Sequence, residues 1–258
     1  LLGLLIAFIV LFALGIIFMI YIAVKAPKFD PDQLYHKEAS ILYANDDSVY
    51  AKIGSEKREI IKYDQMSENL VNAIVATEDA RFFKHNGFDL PRFVVASVKQ
   101  LMGQSDAGGA STLTMQVVKN HFTSDVDTGF KGIIRKFTDI YMSIFQVEKK
   151  YSKEEIMEFY ANSNYLGGGA YGVEQASLTY FDKHASELNV AESALIAGLF
   201  NAPVALDPYN HPEAAEKRRK TVLYLMERHG YITEKEKKEA EKLTVDKIVL
   251  DKRSSDDT

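Results

Sequence analysis

The sequence predicts a mainly α protein with an N-terminal transmembrane helix, a multi-helix domain and a small β-hairpin. Residues 1–24 carry no charge, and at a rise of about 1.5 Å per residue they cover a bilayer core of about 30 Å. Apolar residues recur at helical spacing through most of the chain after Ser67. With 258 residues, of which 47% are hydrophobic, the chain is long and apolar enough to bury a proper core.

The segment between the predicted anchor and the helical domain is polar at first and then β-like. It begins "KAPKFDPDQ", which contains two prolines, and continues "SILYANDDSVYAKIG", in which two β-type runs flank a turn of Asn and Asp residues at 45–47. We therefore expect a linker and hairpin region over 25–66, a helical domain over 67–245 and a C-terminal tail over 246–258.

Within the domain, the pattern predicts helices near 91–102, directly after Ser111 and over 131–150. Further helix starts are marked by Pro212, which suits a first helical turn, and by capping boxes in which an acid follows the cap residue by three positions. These boxes are Ser152 with Glu155, Asn189 with Glu192 and Thr233 with Glu236.

Charge and composition exclude several classes of function. A net charge of −5 argues against nucleic-acid binding. With zero cysteines there are no disulfides or thiolate metal sites, and the six histidines show no zinc-binding spacing. Lys and Arg nevertheless cluster locally, which indicates either a localised anionic ligand or solvated helix faces.

An acid, Glu78, ends the apolar stripe of the helix predicted after Ser67. At 100° per residue Glu78 lies within about 40° of Ile74 on this stripe, whereas Asp79 turns off it. A carboxylate in such a position is costly unless it is paired, protonated or lining a cavity. Glu78 is therefore either a structural ion-pair partner or a working acid/base group.

A second acid, Glu148, ends another stripe in the same way. Phe137, Tyr141, Ile144 and Phe145 precede it at helical spacing in the predicted helix 131–150. An ion pair with Lys149 or Arg135 is the structural alternative to a functional role.

A phosphorylated ligand is suggested by a glycine-rich loop and several bases. The loop "GQSDAGGAS" leads to Ser111, which we expect to cap a helix that carries Gln116 and Lys119 on one side. Arg135 and Lys136 supply further charge. The loop lacks the Gly-Lys-Ser/Thr of a nucleotide-binding P-loop, which makes a nucleotide less favoured than another phosphorylated ligand.

Five motifs in order resemble those of the peptidoglycan glycosyltransferases, glycosyltransferase family 51, over about residues 65–230. "ATEDARFFKHNGFD" resembles the family's E-D-x-x-F-x-x-H-x-G, and "GGASTLTMQVVKN" resembles G-x-S-T-x-x-Q-Q-x-x-K-N. "RKFTDIYMSIFQVEKKYSKEEIMEFYAN" resembles R-K-x-x-E-x-x-x-A-x-x-L-E-x-x-x-S-K-x-E-I-L-E-x-Y-L-N, and "GGGAYGVEQASLTYF" and "LNVAESALIAGLFNAP" match the remaining two. The chain departs from the pattern at Met115, where the family has Gln, and at Asp139, where it has Glu.

The resemblance implies a partly lysozyme-like fold and the polymerisation of lipid II into β-1,4-linked glycan strands, with release of undecaprenyl diphosphate. It implies a monofunctional enzyme, of the kind found in Gram-positive cocci such as staphylococci, anchored in the cell membrane with its catalytic domain outside the cytoplasm. Its partners would be lipid II, the growing lipid-linked glycan, the bilayer and other cell-wall synthesis proteins.

For the site, the resemblance implies that Glu78 is the general base that deprotonates the attacking sugar hydroxyl in an inverting single displacement. Glu148 would act on the donor side, either orienting bases or holding Mg²⁺ or Mn²⁺ against the diphosphate. The expected substrate-binding residues are Ser111, Gln116, Lys119, Arg135, Lys136, Asn201 and Arg218.

Two other functions are compatible with a mainly α domain that has a key glutamate. One is a membrane-anchored, lysozyme-like lytic glycosidase, and the other is a non-catalytic scaffold that binds lipid II. The basic clusters disfavour the glycosidase, because a neutral glycosidic leaving group does not need them. Acids on apolar stripes disfavour the scaffold, because a binder has no reason to bear their cost.

Overall fold

The structure is a computed structural model that describes residues 2–35, 40–43, 49–53, 57–102, 109–123 and 128–251. It is mainly helical, which confirms the predicted fold class. The chain divides into two compact units: unit 1 comprises Leu1–Asp30 and Lys84–Ser152, and unit 2 comprises Pro31–Phe83 and Lys153–Thr258.

The helices and strands follow one another along both units. The α-helices are α1 (Leu2–Lys25), α2 (Glu68–Glu78), α3 (Leu90–Leu101), α4 (Leu113–His121), α5 (Gly129–Met142), α6 (Lys153–Ser163), α7 (Val173–Phe181), α8 (Val190–Leu199), α9 (Pro212–Arg228), α10 (Glu234–Glu241) and α11 (Val245–Ile248). The strands are β1 (Ser40–Tyr43), β2 (Val49–Ile53), β3 (Lys57–Arg58) and β4 (Ala170–Tyr171).

In unit 1, α1 is the predicted membrane-length helix. It has 24 residues and a mean hydropathy of 3.1, so it is long and apolar enough to cross a membrane. It runs beside α5: the rings of Phe18 and Phe137 are 5.2 Å apart. Beyond both helices the Gln146 side chain donates to the Pro27 carbonyl oxygen (2.9 Å) and accepts from the Phe29 N–H (2.8 Å). The contact partners occur in the same order along both segments, first Phe18 with Phe137 and then Pro27 and Phe29 with Gln146. The two segments therefore run parallel.

The predicted helix over 131–150 differs from the observed one in its end and in its buried face. The α-helix α5 stops at Met142 and continues as a π-helical turn, Ser143–Val147. Its buried residues include Thr138, Asp139 and Met142, whereas Phe137 and Phe145 of the predicted stripe are 38% and 46% exposed. The stripe is apolar because it accompanies the hydrophobic helix α1, not because it faces a core.

Unit 2 is built around α2, α8 and α9, which pack against one another. The stripe predicted on α2 is confirmed, since Leu70, Val71, Ile74 and Val75 are all buried. The Ser67 side chain caps α2 by accepting from the Leu70 N–H (3.1 Å). The first turn of α9 begins with Pro212, as predicted.

Local sequence signals also placed other elements of unit 2 correctly. The capping boxes that start at Asn189 and Thr233 form at the starts of α8 and α10. The predicted hairpin is present as β1 and β2, which pair antiparallel with Ser40 opposite Ile53. Its predicted turn at 45–47 lies outside the described residues, as do 252–258 of the predicted tail. Strands β3 and β4 form a separate parallel pair.

Candidate active site

In unit 2, Glu78 is the last residue of α2, and its side chain is 15% exposed. Its Oε1 lies 3.9 Å from Nη2 of Arg218, which α9 presents. This distance is too long for a hydrogen bond but close enough for an electrostatic contact. The fold thus brings the predicted general base beside one of the predicted substrate contacts, although 140 residues separate them in the sequence (218 minus 78).

A buried phenol, Tyr160 of α6, lies close to this pair and was not predicted. Burial raises its pKa well above the ordinary value, and the negative charge of Glu78 raises it further, while Arg218 lowers it. Tyr160 therefore remains a neutral neighbour of the two charges. Its ring stacks on Phe200, with 4.6 Å between centroids. The only sequence signal was its place in the motif "EIMEFYAN".

Asp79 is fully buried, contrary to the expectation that it turns away from the core. The prediction extended helical geometry one residue too far. The helix ends at Glu78, and Asp79 has a non-helical backbone (φ −154°, ψ 76°), so its direction does not follow the helical wheel. Its charge contributes, after burial, to raising the pKa of Tyr231.

Asn201 follows α8, and its side chain is exposed. Its backbone N–H donates to the Gly198 carbonyl oxygen (3.4 Å). Its role as a substrate contact stays a prediction.

In unit 1, Glu148 directly follows the π-helical turn and is held by α4. Its Oε1 accepts a hydrogen bond from the Thr114 hydroxyl (2.6 Å). Gly87 approaches it from another side with φ +85°, where a Cβ would lie 2.9 Å from the Ser143 carbonyl carbon and 3.1 Å from Cγ of Glu148. Only glycine fits this position without strain. Thr112 fixes the glycine by donating from Oγ1 to the Gly87 carbonyl oxygen (2.7 Å).

The π-helical turn explains why Glu148 does not continue the stripe of Phe137 and Tyr141. Glu148 follows Arg135 by 13 residues (148 minus 135), one more than in the family pattern quoted above. A π-turn accommodates one extra residue within an α-helix and changes the direction of the side chains that follow. Glu148 can consequently reach Thr114 on α4. Sequence reasoning missed this turn, although the longer spacing was its signal.

Three predicted bases converge on one buried carboxylate, Asp139. Arg135 pairs with it (Nη1 to Oδ2, 2.7 Å), and the Thr123 hydroxyl donates to its other oxygen (2.6 Å). Burial raises the pKa of Asp139, while the Thr123 hydrogen bond and the charges of Arg135, Lys136 and Lys119 lower it. Asp139, noted in the sequence only as a departure from the family, is thus the residue that organises this basic cluster.

Ser111 does not cap α4, contrary to expectation. Thr112 is the cap, and its side chain accepts from the Met115 N–H (3.2 Å). Both residues are of a type that caps helices, so the sequence could not separate them. Ser111 instead accepts from Nζ of Lys136 (2.8 Å), and this places it in the basic cluster.

Gln116 and Lys119 both lie on α4 and are half-buried. Lys119 belongs to the cluster through its effect on Asp139. Gln116 lies on the same helix as Thr114, and its role as a substrate contact stays a prediction.

The acids offer limited support for a metal ion. Among the described residues, no group of three or more His, Cys, Asp or Glu side chains could hold one. Mg²⁺, however, is commonly bound by one or two carboxylates together with the phosphates of a substrate. Glu148 fits that arrangement as a single carboxylate, and a cation there would need phosphate oxygens to complete its coordination.

These features define the class of the protein: a mainly α enzyme with a membrane-length helix and with acidic and basic side chains gathered inside each unit. The chain belongs to the transglycosylase family, whose model matches residues 46–227. This is the family that the five motifs predicted.

Similar proteins include several penicillin-binding proteins. Penicillin-binding protein 1A of Streptococcus oralis is 38% identical over 219 residues, which are 85% of this chain and 34% of that protein. Penicillin-binding protein 1A/1B of Bacillus subtilis is 36% identical over 242 residues, which are 92% of this chain and 26% of that protein. Penicillin-binding protein 1A of Aquifex aeolicus is 40% identical over 203 residues, which are 79% of this chain and 27% of that protein.

The chain spans about a third or less of the length of these relatives. A staphylococcal origin and a monofunctional enzyme stay predictions, since the relatives come from other genera and are longer proteins.

Proposed function

We propose that this chain polymerises lipid II into β-1,4-linked glycan strands and releases undecaprenyl diphosphate. The observation that carries the proposal is the basic cluster of unit 1, in which Arg135 pairs with the buried Asp139 and Lys136 donates to Ser111. Lys119 lies on α4, the helix whose Thr114 hydroxyl binds Glu148. A transferase must stabilise a departing diphosphate, whereas a lytic glycosidase releases a neutral sugar hydroxyl and has no use for such a cluster.

On the acceptor side, Glu78 serves as the general base. Its carboxylate takes the proton from the 4-hydroxyl of the GlcNAc of lipid II as that oxygen attacks the anomeric carbon of the growing strand. The bond to the diphosphate breaks as the new glycosidic bond forms, so the anomeric configuration inverts without a covalent glycosyl-enzyme. Arg218, 3.9 Å from Glu78, and Asn201 contact the acceptor.

On the donor side, the bases of unit 1 bind the diphosphate. Lys119 and Lys136 neutralise its charge directly, while Arg135 divides its charge between the diphosphate and Asp139. Ser111 and Gln116 supply hydrogen bonds. Glu148, held by Thr114, would hold a divalent cation such as Mg²⁺ or Mn²⁺, which when bound neutralises further charge on the leaving group.

The extracytoplasmic face of the cell membrane is the place where this reaction can occur, because lipid II is consumed there. Helix α1 supports membrane anchoring through its length and hydropathy. The bilayer, lipid II and the growing lipid-linked strand are the partners that the reaction requires, and other cell-wall synthesis proteins are further candidates.

The experiment that tests this function mixes the purified full chain with lipid II in detergent, with and without Mg²⁺ or Mn²⁺, and sizes the products. We expect glycan strands and released undecaprenyl diphosphate, formed faster when the cation is present. In the Glu148→Gln variant, the cation should no longer increase the rate. Shortened strands from preformed peptidoglycan would instead establish a hydrolase. If neither substrate gave a product, the chain would be a non-catalytic scaffold that binds lipid II. A full metal response in Glu148→Gln would make that residue an orienter of the bases.

A further inference from the structure

The chain that leaves α1 is bound to the π-helical turn within unit 1. We call residues 27–29, which follow shortly after α1 ends, the exit segment. Gln146 lies inside the π-helical turn, Ser143–Val147. Its side-chain amide donates to the Pro27 carbonyl oxygen (2.9 Å) and accepts from the Phe29 N–H (2.8 Å). Two hydrogen bonds of opposite sense fix both the distance and the direction of the exit segment relative to the turn.

The Phe29 side chain adds an apolar attachment beside these hydrogen bonds. Phe29 is buried, and its ring lies 4.9 Å from the ring of Phe122, the residue that ends α4. On another side it lies 5.5 Å from the ring of Tyr151. Aromatic rings at these separations attract one another beyond their burial. The exit segment therefore joins α4 to the chain that follows the π-helical turn.

Glu148 lies between the two places where the exit segment is attached. Gln146 precedes it by two residues and Tyr151 follows it by three (148 minus 146 and 151 minus 148). The Glu148 N–H donates to the Ser143 carbonyl oxygen (3.0 Å) and so closes the π-helical turn around Gln146. The backbone of Glu148 is thus fixed by the turn, while the Thr114 hydroxyl fixes its carboxylate.

A π-helical turn needs support of this kind because it is a rare interruption of regular helical geometry. The side chain of Gln146 could make the same exchange with water if the turn relaxed, so its two hydrogen bonds stabilise the turn only while the exit segment stays in place. The position of Glu148 is consequently coupled to residues that lie next to the membrane-length helix.

We propose that the exit segment braces the π-helical turn, and that Gln146 and Phe29 are positioning residues for Glu148. The proposal rests on the proposed function, since that function gives Glu148 its role on the donor side. The segment beside α1 then does more than connect the anchor to the domain, because it also holds a carboxylate of the site in its direction.

Three variants of the full chain remove different parts of the brace. Gln146→Met keeps the length of the side chain but loses both hydrogen bonds. Gln146→Glu keeps an acceptor for the Phe29 N–H but has no N–H for the Pro27 carbonyl oxygen. Phe29→Leu weakens the aromatic packing. The matched control is Gln175→Met, because Gln175 is also half-buried and its side chain donates to Thr179 of its own helix, α7 (3.3 Å).

The first measurement is residue-resolved amide hydrogen exchange of the full chain in detergent, read at the Glu148 N–H. We expect exchange about tenfold faster in Gln146→Met, since two hydrogen bonds that support the turn are lost. Phe29→Leu and Gln146→Glu should give smaller increases, and Gln175→Met should match the wild type. Unchanged exchange in the buried helix α8 shows that the fold is intact. Wild-type exchange at Glu148 in Gln146→Met would overturn the brace.

The second measurement is the rate of polymerisation of lipid II by Gln146→Met, by Thr114→Val and by the double variant. We expect a loss of about tenfold for Gln146→Met and no substantial further loss in the double variant, because both residues act through Glu148. Losses that multiply to about a hundredfold would mean independent effects and would overturn the positioning role, as would faster exchange with wild-type polymerisation.

The two measurements also separate this proposal from the proposed function. Hydrogen exchange needs no turnover, so it decides the brace even if the wild-type chain makes no polymer, a result that would refute the proposed function alone. Polymerisation by the wild type together with unchanged exchange at Glu148 in Gln146→Met would refute the brace alone.

Discussion

At the scale of single residues, Glu78 and Arg218 show how a charged pair is placed at the edge of a core. Helix α2 buries its apolar face and ends on the acid, so the carboxylate remains 15% exposed while the preceding turns are buried. Arg218 is supplied by α9, a main packing partner of α2. The proposed role of Glu78 as a base thus depends on a buried helix for its position and on the end of that helix for its partial exposure.

Glu78→Gln should lower the rate of glycan polymerisation by about 100-fold or more, because the amide preserves the shape but cannot accept a proton. Binding of lipid II should change little, and this is measured separately by equilibrium binding. Glu68→Gln, in the exposed first turn of the same helix, is the control and should keep full activity. Polymerisation by Glu78→Gln at the wild-type rate would refute the assignment of the base.

Arg135→Met should destabilise the fold by about 3 kcal/mol, because it leaves the buried Asp139 carboxylate without its ion-pair partner. Adding Asp139→Asn should restore part of this loss, since the amide removes the buried charge. Thermal or denaturant unfolding of both variants measures the effect. A double variant as unstable as Arg135→Met would mean that the pair does not act as a unit. Lys131→Met, an exposed base on the same helix, is the control.

At the scale of elements, the π-helical turn Ser143–Val147 performs two tasks. It continues the face beside α1 through Phe145, and it redirects Glu148 to α4, where the Thr114 hydroxyl binds it. Gly87 packs against the backbone of this turn at a distance that no side chain tolerates. One extra residue in the sequence therefore becomes a change of direction that separates Phe145, which lies beside α1, from Glu148, the proposed catalytic group.

Thr114→Val should lower polymerisation about tenfold while leaving the melting temperature close to that of a control, because it removes only the hydrogen bond that orients Glu148. The control is Thr138→Val, another buried threonine of unit 1 whose hydroxyl donates to the Ile134 carbonyl oxygen of its own helix. If Thr114→Val kept wild-type kcat and KM, Thr114 would have a structural role only. Thr114→Ser, which retains the hydroxyl, should recover most of the activity.

At the scale of the whole molecule, α1 determines where the protein can work. Most of its apolar side chains are exposed, as expected for a helix surrounded by lipid rather than by protein. Its parallel course beside α5 brings exposed apolar residues of that helix, including Phe130 and Ile133, alongside the membrane-length segment. Unit 1 therefore exposes an apolar surface beside α1, which the proposed lipid-linked substrate would need.

The domain that follows α1 should be digested when protease is added to intact protoplasts, because the proposed substrate is available on the outer face of the membrane. Immunoblotting with an antibody to the C-terminal region reads the result, and a cytoplasmic protein that stays intact is the control. Complete protection of the domain until the protoplasts are lysed would place it in the cytoplasm and contradict the proposed location.

The sequence by itself determined those features that depend on neighbours along the chain. Helix periods, capping boxes and the uncharged run of α1 are local signals, and they predicted the helical class, the buried stripe of α2, the hairpin strands and the starts of α8 and α10. The motifs predicted the family, which the family model confirms over residues 46–227, whereas the catalytic roles of Glu78 and Glu148 stay predictions.

Only the tertiary structure decided which distant groups meet. The contact of Arg218 with Glu78 depends on the packing of α9 against α2. The packing of α4 against α5 likewise brings the charge of Lys119 to bear on Asp139. The direction of Glu148 depends on a π-helical turn, and that of Asp79 on a helix that stops one residue before it, so a helical wheel could predict neither. A regular period describes a continuing helix, whereas Glu148 and Asp79 lie where regular helices are interrupted or end.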